Sequence, residues 1–329
     1  MISGGLDSML AARLMQQLGV SIIPLYCSIP FRHRLKNHSA GLDKLGSVVQ
    51  RYLGQPLRRL EIDDDFLELI RLPCHGFGSN MNPCVDCKIL MFQKAKSFMQ
   101  QHDAAFMVTG EVVGQRPMSQ RRHTLRLIED KAEVGGLVVR PLSAKILPET
   151  IPEQRGWIDR TQLFDFNGRS RKPQFALAQS LGITDYAQPA GGCLLTDPLF
   201  SNRLKELMAH QELTLANVAL LRVGRHFRLS PTTKLIVGRD KEENSELEHL
   251  AQDDDLLFFP HETVAGPTAL GRGLFDLAMV KLAGEIVCRY CDRNGTQEAV
   301  IQYRKAKDNE CKCLKVAALN EAPLAALRL

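Results

Sequence analysis

The chain has 329 residues, enough for two domains at roughly 100–200 residues each. Apolar residues make up 44% and charged residues 24%, a globular balance that excludes a disordered chain and a fibre. No apolar run approaches the ~18 residues that span a bilayer, and the N-terminus lacks a basic start leading into an apolar stretch, so the expected location is cytoplasmic, with no membrane partner.

The net charge of +5 permits a polyanionic partner without demanding one, and its distribution matters more than its total. Nine cysteines in a cytosolic chain point to metal ligation, redox chemistry or nucleophilic catalysis rather than disulfides.

In chain order, apolar spacing predicts a helix over residues 6–18, with Leu6, Leu10, Leu14 and Met15 on one stripe. A buried strand follows at 21–27, then a basic loop holding Arg32, His33, Arg34, Lys36 and His38. The pattern continues with a helix at 42–53, a strand at 57–62, and a loop rich in Gly, Pro, Asn and Cys over 73–87. A helix at 87–99, a strand at 105–109 running into Gly110, and a strand at 136–141 complete the alternation. Strands alternating with helices predict an α/β domain built on a doubly wound, mainly parallel sheet.

A polar, basic connector at 164–173 leads to a helix at 174–181, a Gly-rich turn at 189–193, and helices at 199–208 and 213–221. Beyond Arg222 the strands shorten (224–229, 234–238 and 256–259) around an acidic helix at 241–252. This predicts a smaller C-terminal α+β domain and a boundary near residue 220, giving domains 1–220 and 221–329.

Ser3-Gly4-Gly5-Leu6-Asp7-Ser8 opens the first helix. Two glycines let backbone N–H groups turn toward an anion, and a helix N-terminus adds donors and positive potential. Ser3 and Ser8 add hydroxyl donors, and an aspartate among phosphates suits Mg²⁺ binding. A Ser-capped helix would explain Ser-Gly-Gly alone, but the full string at the head of an α/β domain points to a nucleotide site. It lacks the Gly-Lys-Ser/Thr of a Walker A loop.

The string resembles the signature of the PP-loop ATP pyrophosphatases, of the adenine nucleotide alpha hydrolase-like fold. The resemblance implies that ATP and Mg²⁺ bind at Ser3, Gly4, Gly5, Asp7, Ser8 and Gly110, and that ATP is cleaved between its α and β phosphates. In that family a buried strand leads into the loop; here only Met1 and Ile2 precede Ser3. The expectation is a late start or a loop short of its supporting strand.

Asn82-Pro83-Cys84-Val85-Asp86-Cys87-Lys88 places C-x-x-C at a loop-to-helix junction. Two thiolates at this spacing reach one metal, and a helix N-terminus is expected to lower their pKa. A redox pair, structural zinc or two cysteines without a role are the alternatives. Cys193 follows a second tight glycine turn.

Asn-Pro-Cys-x-x-Cys-Lys resembles the tRNA-thiolating PP-loop enzymes, including 2-thiouridylase-like ones. Thr109-Gly110-Glu111-Val112-Val113-Gly114-Gln115, Ser119-Gln120 and Arg140-Pro141-Leu142 resemble the 4-thiouridine synthases, over about residues 1–210. In cluster-dependent members three cysteines hold a [4Fe–4S] cluster with one iron open; Cys84, Cys87 and Cys193 match that set. In cluster-free proposals Cys87 and Cys193 form a persulfide carrier and a resolving thiol. Cys27 reads as core and Cys74 as a bystander.

Three basic stretches suggest a surface for phosphates: Arg116, Arg121, Arg122, His123 and Arg126; Arg169, Arg171 and Lys172; and Arg222, Arg225, His226 and Arg228. Aromatics are too few for a stacking platform. Val223–Leu229, Lys234–Asp240 and Glu243-Asn244, with a looser fit at Asp255–His261 and Gly266-Pro267, resemble the NFACT-type RNA-binding domain and imply a tRNA-gripping appendage. Cys288-x-x-Cys291 and Cys311-x-Cys313 leave open a four-thiolate zinc site or cysteines without a role; one intervening residue is tight for zinc, where roughly two to four are usual.

Together the resemblances imply a transferase. A uridine carbonyl of tRNA is adenylated, pyrophosphate leaves, and sulfur arrives from the Cys84/Cys87/Cys193 centre. The partners would be tRNA and a sulfur donor (a cysteine desulfurase or free sulfide), with a homodimer allowed for. The rival readings are a PP-loop ligase adenylating a small molecule and a non-catalytic RNA-binding protein with a relic nucleotide site.

Overall fold

The structure is a computed structural model that describes residues 1–31, 38–186, 193–210, 212–292 and 295–329. Most of the basic loop after β1 (32–37) and the glycine turn before Cys193 (189–192) lie outside the described residues. Two compact units divide at Asp197/Pro198, some way before the boundary expected near 220. Among the described residues no helix is long and apolar enough to cross a membrane.

In chain order the first unit contains α1 (Leu6–Gln17), β1 (Leu25–Ser28), α2 (His38–Leu53), β2 (Arg58–Glu61), α3 (Asp63–Arg71), α4 (Cys84–Gln101) and β3 (Met107–Val108). It continues with α5 (Arg122–Lys131), β4 (Val138–Val139), α6 (Ile151–Gln154) and α7 (Lys172–Ser180). β1 pairs parallel with β2, and β3 parallel with β4. Among the described residues the parallel pairing takes the form of these two pairs, and a continuous doubly wound sheet is not displayed.

Met1 and Ile2 sit between the pairs. The Ile2 N–H donates to the Leu25 carbonyl at 2.6 Å, and the Met1 amino group to the Val108 carbonyl at 2.6 Å. Their side chains part as strand alternation requires: Ile2 joins the cluster of α1, α2 and α7, and Met1 packs on the cluster of α4, α5, Leu25 and Met107. Met1 and Ile2, which lead into the Ser3–Ser8 turn, are therefore held on both sides.

α1 is buried nearly all round through Leu6, Met9, Leu10, Ala11, Leu14 and Met15, which is why a long apolar helix sits directly behind the loop. α3 and α5 were not expected. α3 opens on Asp63, Asp64 and Asp65, acids that favour a helix N-terminus, and turns Phe66, Leu67 and Ile70 inward. α5 turns Leu125 and Ile128 inward from within a run that reads as a basic surface.

The second unit contains α8 (Pro198–His210), α9 (Leu215–Leu220), β5 (Arg225–Ser230), β6 (Thr233–Val237), α10 (Lys241–Leu250), β7 (Leu256–Pro260) and β8 (Ala269–Gly273). After these come α11 (Leu277–Arg289), β9 (Glu298–Lys305), β10 (Lys312–Ala317) and α12 (Glu321–Leu327). Its strands form an antiparallel sheet in the order β10-β9-β7-β8-β6-β5. Alternate residues face opposite layers. Leu235, Val237, Phe258 and Ala269 pack on α11 and α12, while Ile236, Leu257 and Leu270 pack with Leu220 and Leu247 of α9 and α10.

Candidate nucleotide and thiol site

The loop folds onto its own serines. The Ser3 N–H and Ser3 Oγ each lie 3.1 Å from Ser8 Oγ, and Ser8 Oγ donates to the Gly5 carbonyl at 2.8 Å. Gly4 has φ +82°, a conformation that favours glycine, and Gly5 caps α1 with no side-chain bond. The first turn of α1, with Asp7 in it, thus starts from a tight turn suited to an anion.

The backbone of Gly110 lies against that turn. A Cβ there would meet Asp7 C at 2.3 Å, Asp7 O at 2.4 Å and Ser8 N at 2.4 Å. Glycine is required at 110 by this approach, whatever part it takes in holding a ligand. Downstream, Gln115 Nε2 donates to Asp7 Oδ2 at 2.9 Å, and Arg171 Nη2 reaches the same oxygen at 3.5 Å. Asp7 Oδ1 and Gln115 Oε1 are buried and have no hydrogen-bond partner among the described residues. An orphaned carboxylate oxygen beside a phosphate-type loop fits a hard cation such as Mg²⁺.

Glu111, next to Gly110, is buried and grips two other motifs. It pairs with Lys88 at 3.1 Å and accepts from Arg140 Nε at 3.0 Å, while Arg140 also binds Glu129. Burial would raise the Glu111 carboxyl, but Lys88 and Arg140 outweigh it and hold it at about 2. Lys88 follows Cys87 directly, so the ion pair pins the start of α4 to the segment that abuts the Ser3–Ser8 turn.

Cys84 is the first residue of α4 and Cys87 lies one turn on; both are half-buried, as is Cys193. The helix start does not lower the Cys84 thiol. Burial pushes it up, against the opposing pull of Arg116, an Asn82 hydrogen bond and Lys88.

The Cys193 segment is stitched to this region. The Met81 N–H donates to the Leu195 carbonyl at 3.1 Å, Asn80 Nδ2 to the Thr196 carbonyl at 2.8 Å, and Cys193 Sγ to the Phe31 carbonyl at 3.4 Å. All three cysteines therefore lie on neighbouring segments. Among the described residues, however, no group of three or more His, Cys, Asp or Glu side chains is gathered as around a metal ion. The three-thiolate set that the resemblance implies is thus not displayed by the described residues.

Sequence reasoning passed over His75 and Asp86. Asp86, buried between the two cysteines, accepts from the His75 N–H at 2.9 Å and lies 2.8 Å from His75 Nδ1, closing the loop ahead of α4. The Cys-x-Asp-Cys spelling was the available signal.

Of the basic stretches, Arg116, Arg121, Arg122, His123 and Arg126 are exposed, as are Arg169 and Lys172. The third stretch differs from expectation. His226 is fully buried and bonds the Val223 carbonyl, Arg228 pairs with Glu206, and Arg225 stacks on Tyr290 at 4.7 Å. Arg239 is bound to Glu243. These residues build the second unit. A four-thiolate zinc site is also absent among the described residues: Cys288 is buried on α11 and Cys291 just past its end, while Cys311, just before β10, and Cys313, on it, are exposed.

Comparison with known proteins gives two matches along the chain. Residues 1–146 match the family described as thiamine biosynthesis protein (ThiI), and residues 224–327 match the NFACT protein RNA binding domain. A curated "Probable tRNA sulfurtransferase" of Methanosarcina mazei is 31% identical over 121 residues, covering 35% of this chain and 28% of that protein. The chain thus spans less than a third of this relative's length. Among solved structures, the C-terminal part of the fibronectin/fibrinogen-binding protein from Streptococcus suis is 12% identical with a TM-score of 0.30, covering 74% of this chain and 94% of that one.

Proposed function

We propose that this chain, which joins a ThiI-family domain to an NFACT-type RNA-binding domain, is an ATP-dependent tRNA sulfurtransferase acting on a uridine. The observation that carries the reading is the segment 110–111: Gly110 lies on the turn that would cradle phosphates, and Glu111 fixes the helix that starts with Cys84.

Ser3, Gly4, Gly5 and Ser8 would hold the ATP phosphates through N–H and hydroxyl donors, and Asp7 would hold Mg²⁺, which when bound supplies positive charge against the phosphates. The uridine carbonyl oxygen attacks the α-phosphorus and pyrophosphate leaves, so the protein's work is positioning and charge stabilisation. A persulfide on one of Cys87 and Cys193 then attacks the activated carbon and displaces AMP. The other thiol cleaves the resulting disulfide, releasing thiouridine and leaving a Cys87–Cys193 disulfide to be reduced. A [4Fe–4S] cluster held by Cys84, Cys87 and Cys193 is the other sulfur source that the resemblance implies, and no step above depends on it. The working surroundings would be the cytoplasm, with the persulfide of a cysteine desulfurase as donor of sulfane sulfur; free sulfide would serve only by attacking the Cys87–Cys193 disulfide, which yields one persulfide and one thiol.

The test is pyrophosphate release by the full chain with Mg²⁺ and ATP. The expected result is release that depends on tRNA and is lost in Asp7→Asn. Release without tRNA would favour a small-molecule ligase, and none under any condition would end the enzymatic reading.

A further inference from the structure

We propose that Gln115 is a positioning residue that presets Asp7 for its cation; the inference rests on the reading above and extends it to a residue that does not itself touch phosphate.

A carboxylate only accepts, so the amide facing it must present its NH₂ group, which fixes the orientation of Gln115. The contact is a 2.9 Å hydrogen bond from Nε2 to Asp7 Oδ2. Arg171 reaches that same oxygen, so both donors converge on Oδ2 and leave Oδ1, buried and unpaired, on the other side of the carboxylate. A buried carboxylate oxygen without a donor is costly, and the cost is removed when a cation or its bound water arrives.

Gln115 is well placed to hold this geometry. Its N–H closes a turn onto the Val112 carbonyl at 3.2 Å. The preceding Gly114, at φ +75°, donates to the Gln120 carbonyl at 2.8 Å. The amide is therefore delivered by a locked backbone, and the carboxylate is oriented before any cation binds. Gln115 Oε1, buried and also without a partner, is a second oxygen acceptor on the same pair of side chains.

The experiment measures binding of α,β-methylene-ATP to the full chain with and without Mg²⁺, and takes the ratio of the two dissociation constants. Gln115→Met keeps the side chain's length but has no donor. It should lower that ratio roughly tenfold, the worth of one charge-assisted hydrogen bond, while leaving Mg²⁺-free binding and the melting temperature unchanged. Gln115→Leu, which also lacks a donor, should lower it as well and serves if the Met variant is unstable. A ratio unchanged or raised in the variants overturns the inference alone. Equal losses with and without Mg²⁺ also overturn it, because they indicate a structural role. A wild-type chain whose nucleotide binding ignores Mg²⁺ overturns both the inference and the reading on which it rests.

Discussion

Gly110 shows what a single residue decides. Its α-carbon faces the backbone of Asp7 and Ser8 so closely that any side chain must displace the first turn of α1. Gly110→Ala should cost about 1–3 kcal/mol, as overpacking does elsewhere, and should weaken nucleotide binding far more than the same change at Gly135, where a Cβ meets nothing within 4 Å. Isothermal titration with an ATP analogue and thermal melts of both variants check this; equal affinities would refute it. The glycine was visible in the motif Thr-Gly-Glu, but its partner was not, because contact between residues 7 and 110 is a product of the fold and leaves no local pattern.

At the scale of elements, the buried network of Glu111, Lys88, Arg140 and Glu129 ties together motifs that the sequence presents as separate strings. Glu111 titrates at about 2 in the folded chain and in the ordinary range near 4.5 when unfolded. Its contribution is therefore present above pH 4.5 and lost as pH falls toward 2, about 3 kcal/mol at most. Glu111→Gln should destabilise the first unit by about 3–5 kcal/mol at pH 7, since it leaves Lys88 without its anion and Arg140 with Glu129 alone. Urea melts at pH 7 and pH 3 should show the gap between wild type and variant narrowing at the lower value; a constant gap would contradict the network. The elements themselves were unevenly legible. α1, β2 and α10 follow apolar and acidic spacing and lie close to where the sequence suggests. β3 and β4 shrink to two residues each, and α5 hides in a charged run, because tertiary burial of Leu125 and Ile128 outweighs local composition. The strings that resemble an RNA-binding module likewise turn out to build it. Gly224 and Gly238 admit close backbone and side-chain approach, and Asn244 Oδ1 accepts from the Thr268 N–H at 3.1 Å.

For the whole molecule, the position of the domain boundary has an energetic meaning. Glu206 of α8 is the anion for Arg228 and for the buried Lys234, and Leu220 of α9 belongs to the core under the sheet. A fragment beginning at residue 221 would bury Lys234 without Glu206. Residues 198–329 should fold cooperatively, and residues 221–329 should be less stable by about 3–5 kcal/mol or fail to fold, as circular dichroism melts will report. The two units should also part company in acid. His226 is wholly buried, and burial, with Arg203 and Lys234 nearby, holds its pKa well below 6.5. The folded second unit therefore refuses a proton that the unfolded chain accepts below pH 6.5, so its stability falls as pH drops from that point. Glu111 keeps its contribution in the first unit until pH 4.5. Between these values the fragment 198–329 should lose melting temperature while Glu111 costs the first unit nothing. His226→Phe should be less stable at pH 7.5, having lost the bond to the Val223 carbonyl, yet its melting temperature should change little from pH 7.5 to 5. If the variant keeps the wild-type slope, the proton uptake belongs to another group and the buried neutral histidine is not what limits this unit in acid.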